Sequence, residues 1–118
     1  MANPNIGNTT TIIANTVTSN LTTTSTTTLL SGSANSVHKI NTIIIANING
    51  VSSASANLSY NDGTTDRFFA YQVVVPAGSS VVVIDKGSGF YVTENASIRG
   101  GSSSNNFLTS LISFETLS

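Results

Sequence analysis

A chain of 118 residues with a net charge of -1 is long enough for one domain with a modest core, and only 8% of it is charged, against about 25% in an average domain. Its four basic residues, Lys39, Arg67, Lys86 and Arg99, are scattered along the chain, which argues against the clustered positive surface that a nucleic-acid partner requires. The absence of cysteine excludes disulfides and thiolate metal sites, and no run approaches the ~18 apolar residues of a membrane-spanning helix, so neither nucleic acid nor membrane is expected as a partner.

Ser, Thr and Asn make up about two-fifths of the chain. Disorder normally combines low hydrophobicity with high net charge, whereas the mean hydropathy here is +0.19. Threonines interleaved with Ile and Val, and Asn and Ser grouped between them, form a strand-and-turn composition. No segment carries a sustained helical stripe with a capping residue, and period-2 alternation recurs instead.

Residues 1–8, "MANPNIGN", carry Pro4 and three Asn and are expected to form an extended arm. They lack the basic and apolar regions of a secretory signal. A first strand is predicted over Thr9–Val17 and a second over Thr22–Leu30, followed by a Ser/Gly/Asn loop. Val37–Ile48, "VHKINTIIIANI", places Ile40, Thr42, Ile44, Ala46 and Ile48 on one face. Ile43 and Ile45 then fall on the other, so the strand is either central and covered on both sides or meets a partner there. Asn49-Gly50 signals a turn. Ser52–Tyr60 alternates, with Ala54, Ala56, Leu58 and Tyr60 inward. "NDGTTDR" is a loop. Phe68–Val75 places Phe69, Tyr71, Val73 and Val75 together, and Pro76-Ala77-Gly78 turns the chain into Val81–Asp85. Val74, Val82 and Ile84 are expected on the alternate face, exposed unless a partner covers them. Short strands over Phe90–Val92 and Ser97–Arg99 precede a long one over Phe107–Glu115, with Leu108, Ile112 and Phe114 on one face. Eight or nine strands at this spacing predict a single all-β domain over residues 9–118. The expected architecture is a two-sheet antiparallel β-sandwich, jelly-roll or immunoglobulin-like.

Signals for chemistry are sparse. His38 is the sole histidine and stands at a strand start beside Lys39, where a rim position is expected. A Ser/His/Asp triad is not excluded by inventory, but no G-x-S-x-G elbow is present. "NDGTTD" offers oxygens for calcium but lacks the loop spacing and terminal glutamate of an EF-hand, and Asn-Asp-Gly favours an Asx turn on its own. The Gly-rich "GSGF" and "RGGSSS" do not match a phosphate-binding loop. Phe68, Phe69, Tyr71, Phe90 and Tyr91 suit core packing better than a sugar or base platform. The sequons at Asn8, Asn20, Asn57 and Asn95 follow from a chain so rich in Asn and Thr. No enzyme activity, cofactor or metal is expected.

Taken together, "MANPNI", "VHKINTIIIANINGV", "VVVPAGSSVVVIDKGSGFYVTENASI" and "LTSLISFETLS" resemble small virion structural proteins of tailed bacteriophages, especially marine and cyanobacterial ones. The matching positions are Asn47 to Gly50, Val75 to Gly78, Asp85-Lys86, Tyr91, Glu94, Ser97-Ile98 and Phe114-Glu115; the Thr22–Thr28 run has no counterpart. The resemblance implies a non-enzymatic particle component, located in the virion and assembled in the bacterial host cytoplasm. A capsid decoration or cement protein is the leading expectation. A tail, neck or fibre component, or a host-glycan-binding module, is the alternative. The implied partners are further copies of itself, a trimer being one form, and the major capsid protein or other virion proteins. The expected contacts are Ile6, Ile43, Ile45, Val74, Val82 and Ile84.

Overall fold

The computed structural model describes residues 11–24, 27–85, 87 and 89–118. The predicted arm over residues 1–8, with Ile6, and Lys86 lie outside the described residues. Nine strands are formed: β1 (Ile12–Asn20), β2 (Thr27–Ser31), β3 (Val37–Asn47), β4 (Ala54–Asn61), β5 (Asp66–Val75), β6 (Ser80–Ile84), β7 (Tyr91–Val92), β8 (Ser97–Ser102) and β9 (Leu108–Leu117). They make two antiparallel sheets packed face to face, a β-sandwich with no α-helix among the described residues.

One sheet has the order β1-β9-β3-β6, with β7 also pairing with β3; the other has the order β2-β8-β4-β5. The pairings nest, β4 with β5 inside β3 with β6 and β7, inside β2 with β8, inside β1 with β9. A long antiparallel hairpin wrapped over itself in this way is a jelly roll, which decides between the two expected connectivities. Consecutive strands therefore often lie in opposite sheets.

The core between the sheets is built from Leu21, Leu29 and Leu30 at the β1–β2 end, Ile40, Ile43 and Ile45 of β3, Ala54, Ala56 and Leu58 of β4, and Ile98, Leu108, Ile112 and Phe114. The predicted inward sets of β4 and β9 hold. The glycines of "RGG" continue β8 instead of ending it. At Gly100 a Cβ would come within 2.6 Å of both the Asn57 carbonyl oxygen and Leu58 Cδ2, so only glycine lets β8 pack this closely against β4.

Bulges decide the remaining faces. In β3, Ile40 opposes Phe114 but Thr42 opposes Ser113, so Asn41 is an extra residue. Each extra residue shifts the parity of the strand beyond it. Ile43 and Ile45 thereby rejoin Ile40 on the inner side, each with no exposure. They are core residues of the folded subunit, which corrects their reading as a partner contact. In β6, Val83 is the extra residue between Val82 opposite Ile44 and Ile84 opposite Ile43. Ile84 consequently packs against the core, a second correction to the expected contact set. In β5, Tyr71 and Gln72 together oppose Asn57, and Gln72 takes a left-handed φ of 52°. Its amide donates to the Asn57 side chain, and Tyr71 is thrown outward to 62% exposure instead of joining Phe69 inside.

Candidate functional site

No single pocket of chemistry dominates the molecule; three surfaces stand out. The first is the outer face of the five-stranded sheet. Thr18 of β1 opposes Leu111 of β9, Leu111 opposes Ile44 of β3, and Ile44 opposes Val82 of β6. Directly opposed residues project to the same side, so Leu111, Ile44 and Val82 form an apolar row across three strands. The adjoining rows are Asn20, Thr109, Ala46 and Ser80 on one side and Thr16, Ser113 and Thr42 on the other. No charged side chain interrupts them. Val82 is 57% exposed.

The second surface lies on the outer face of the four-stranded sheet. Val74 opposes Ser55 there, is also more than half exposed, and Phe68 meets Tyr71 edge to face at 5.2 Å. Val74 and Val82 were expected on one shared face. Pro76-Ala77-Gly78 instead carries the chain from one sheet to the other, with Gly78 at a φ of 69°. The two valines therefore look out from opposite sides of the sandwich. Arg99 and Asp66, 3.5 Å apart and each about one-third exposed or less, form an ion pair on this second face.

The third surface is an open cleft of about 320 Å³ lined by Tyr60, Phe69, Phe90 and Tyr91. Phe90 meets Phe69 and Tyr60 edge to face at 5.4 and 5.9 Å, and the Tyr60 hydroxyl donates to the Tyr91 carbonyl. Phe69 reaches this cleft because it is itself the extra residue between Phe68 and Ala70.

His38 is buried, not at the rim, a correction to the expected position. Nδ1 lies 3.0 Å from the Thr116 hydroxyl, Nε2 lies 3.5 Å from the Ser33 hydroxyl, and the ring sits edge to face on Phe114 at 4.9 Å. A triad would need a carboxylate on the far nitrogen; threonine occupies it here. Burial pushes the imidazole below its ordinary value, with a hydrogen bond to the Ser31 backbone carbonyl working the other way. The Asp62 carboxylate accepts from Thr65 and Thr64 amides and from the Thr64 hydroxyl, which hold it below the usual carboxylate range. These are the bonds of an Asx turn. Among the described residues no three His, Cys, Asp or Glu side chains gather as metal ligands would.

Of the six residues singled out in the sequence, Val74 and Val82 stand at the surface, Ile43, Ile45 and Ile84 belong to the core side, and Ile6 is outside the described residues. Leu111 and Ile44 were missed because their alignment with Val82 depends on strand register. The aromatic cleft was missed because Phe69 leaves the regular alternation. Comparison with protein-family models, curated proteins and solved structures gives no match.

Proposed function

We propose that this protein is a non-enzymatic structural component of a bacteriophage particle, a capsid decoration or cement protein that bridges neighbouring capsid subunits. The observation that carries the reading is the uncharged row Leu111–Ile44–Val82 within Thr, Ser, Ala and Asn on the outer face of the five-stranded sheet. A β-branched, charge-free sheet surface is an association hazard in a free monomer. On a particle it is a flat contact that leaves few charges to desolvate. Support also comes from the sequence resemblance to small phage virion proteins and, by fold-level analogy, from the jelly roll, an architecture used by viral capsid and lectin domains. Many such weak contacts on one particle add through effective concentration.

The reading replaces Ile43 and Ile45 with Leu111, Ile44 and Val82 as the covered face. Quantitative mass spectrometry of purified particles tests it. Hundreds of copies per particle are expected of a decoration protein. A handful of copies would move the protein to the tail or neck, and absence from particles would overturn the reading.

A further inference from the structure

The outer strands of the two sheets are not alike. An open sheet edge offers unpaired backbone groups to any other strand, and proteins blunt such edges with short strands, charges, bulges or proline. Three of the edges here carry such devices. β2 has five residues and a register shift between Thr28 and Leu30. β5 begins with Asp66 and Arg67 and is bulged twice against β4. β6 has five residues, is bulged at Val83 and runs directly into Asp85. β1 has none of these. It is nine residues long, contains no charge and no proline, and pairs with β9 residue for residue without a shift. Ile12 and Ile13, on opposite faces of it, are 64% and 53% exposed.

The hydrogen bonds to β9 show which backbone groups are open. Thr11 and Ser118 exchange both of theirs, and the Leu21 amide donates to the Leu108 carbonyl. In an antiparallel pair the bonded residues alternate, so the odd-numbered residues of β1 bond to β9. The N–H and C=O groups of Ile12, Ala14, Thr16, Thr18 and Asn20 point the other way, and among the described residues no strand lies beyond them.

An occupant of this edge must bring an extended strand of similar length, with its own outward groups open and no charge or bulge. Among the described strands only β1 meets that requirement, so a second copy supplies it. Antiparallel pairing of two copies centred on Thr16 sets Ile12 against Asn20, Ala14 against Thr18 and Thr16 against itself. This is the register in which all five outward-facing residues find a partner, and it opposes no charges.

We propose that β1 pairs with β1 of a second copy across a two-fold axis at Thr16, which joins the two five-stranded sheets edge to edge. The contact is isologous and closes as a dimer, with main-chain hydrogen bonds as its source of affinity. Directly opposed residues project to the same side, so the uncharged outer faces of the two copies become one surface. The pairing does not depend on the particle reading, because it uses the strand edge and not that face.

The chain has no cysteine, so cross-linking reads the register. Thr16 should face its copy at about 5.5 Å between Cα atoms, within disulfide span, whereas the two Thr18 residues lie about 13 Å apart along the strands. Thr16→Cys should therefore link to itself at least ~10-fold faster than Thr18→Cys does, and than Thr28→Cys, an exposed position on the bulged β2 edge. Thr18→Cys should link instead to Ala14→Cys when the two are mixed. Thr16→Pro removes an outward N–H and leaves the β1–β9 ladder intact, so it should keep the wild-type circular dichroism spectrum and dimerise at least ~10-fold more weakly in sedimentation. Thr16→Lys, which opposes like charges, should also weaken the dimer, and mixing it with Thr16→Glu should restore association. Equal linkage at Thr16 and Thr18 would overturn the proposal, as would a Thr16→Lys protein that dimerises like wild type. So would a wild type that stays monomeric to about 1 mM. Slow exchange of the Ala14, Thr16 and Thr18 amides in such a monomer would assign the edge to another segment of the same chain.

Discussion

The centre of β3 and the β5–β6 edge are written in the same residues, runs of Ile and Val with hardly a charge, yet they meet opposite fates. Ile43 and Ile45 have no exposure, while Val74 and Val82 have 62% and 57%. Hydrophobicity does not separate the two regions. The side of the sheet does: Ile43 and Ile45 face the other sheet, Val74 and Val82 face away from it, and Val75, next to Val74 on the same edge strand, has no exposure. An apolar run in a jelly roll therefore divides between core and surface residue by residue, and bulges choose which of its residues go to each.

The most damaging way to probe this contrast is Ile43→Ala. It removes a side chain packed between the sheets and should cost about 2–5 kcal/mol, read as a lowered urea midpoint. Val74→Ala on the exposed edge should stay within about 0.5 kcal/mol of wild type. Equal losses at both sites would erase the distinction. Asn47→Ala sharpens the contrast from the end of β3, because it leaves the Val75 and Ser52 carbonyls without their donor. A cost of about 1–3 kcal/mol is expected from equilibrium unfolding, together with faster amide exchange at Val51 than in wild type.

His38 gives a pH signature of the covered end of β3. Its folded-state value lies below the ordinary 6.5 because burial disfavours the imidazolium. The unfolded chain thus binds the proton more readily, and stability is fully present above 6.5 and lost as pH falls through the lower folded value. Thermal midpoints measured from pH 8 to pH 5 should be level at first and then decline, and His38→Gln should flatten that decline. A stability that rises on acidification over this window would contradict the buried, neutral imidazole. A small effect is expected at the Arg99–Asp66 pair. Both side chains are partly solvated, and a double-mutant cycle with Arg99→Met and Asp66→Asn should give a coupling of no more than about 1 kcal/mol, weakened by salt.

Strand existence and sandwich class were legible because the alternation in β4, with Ala54, Ala56, Leu58 and Tyr60, and in β9, with Leu108, Ile112 and Phe114, runs unbroken. Faces failed at Asn41, Val83 and the Tyr71-Gln72 pair, where one inserted residue reverses parity and leaves no mark in composition. Cross-strand features were illegible for a further reason. The row Leu111–Ile44–Val82 joins residues from three distant segments, and the separation of Val74 from Val82 depends on a turn that changes sheets. The anchoring of the Val51 loop, whose Val51 and Ser52 amides donate to the Asn49 side chain, was signalled by Asn47 and Asn49, but a turn motif does not tell which backbone groups its side chains satisfy.

The proposal that the uncharged rows around Leu111, Ile44 and Val82 on the outer face of the five-stranded sheet are covered in an assembled particle is tested most directly by Val82→Lys. Val82 points away from the core, so the variant should keep the wild-type circular dichroism spectrum and a urea midpoint shifted by no more than about 0.5 kcal/mol. Its occupancy on particles, measured by quantitative mass spectrometry beside the wild type, should fall at least ~10-fold, because a lysine in a closed apolar contact is left unpaired. A folded Val82→Lys protein that occupies particles as fully as wild type would contradict the claim.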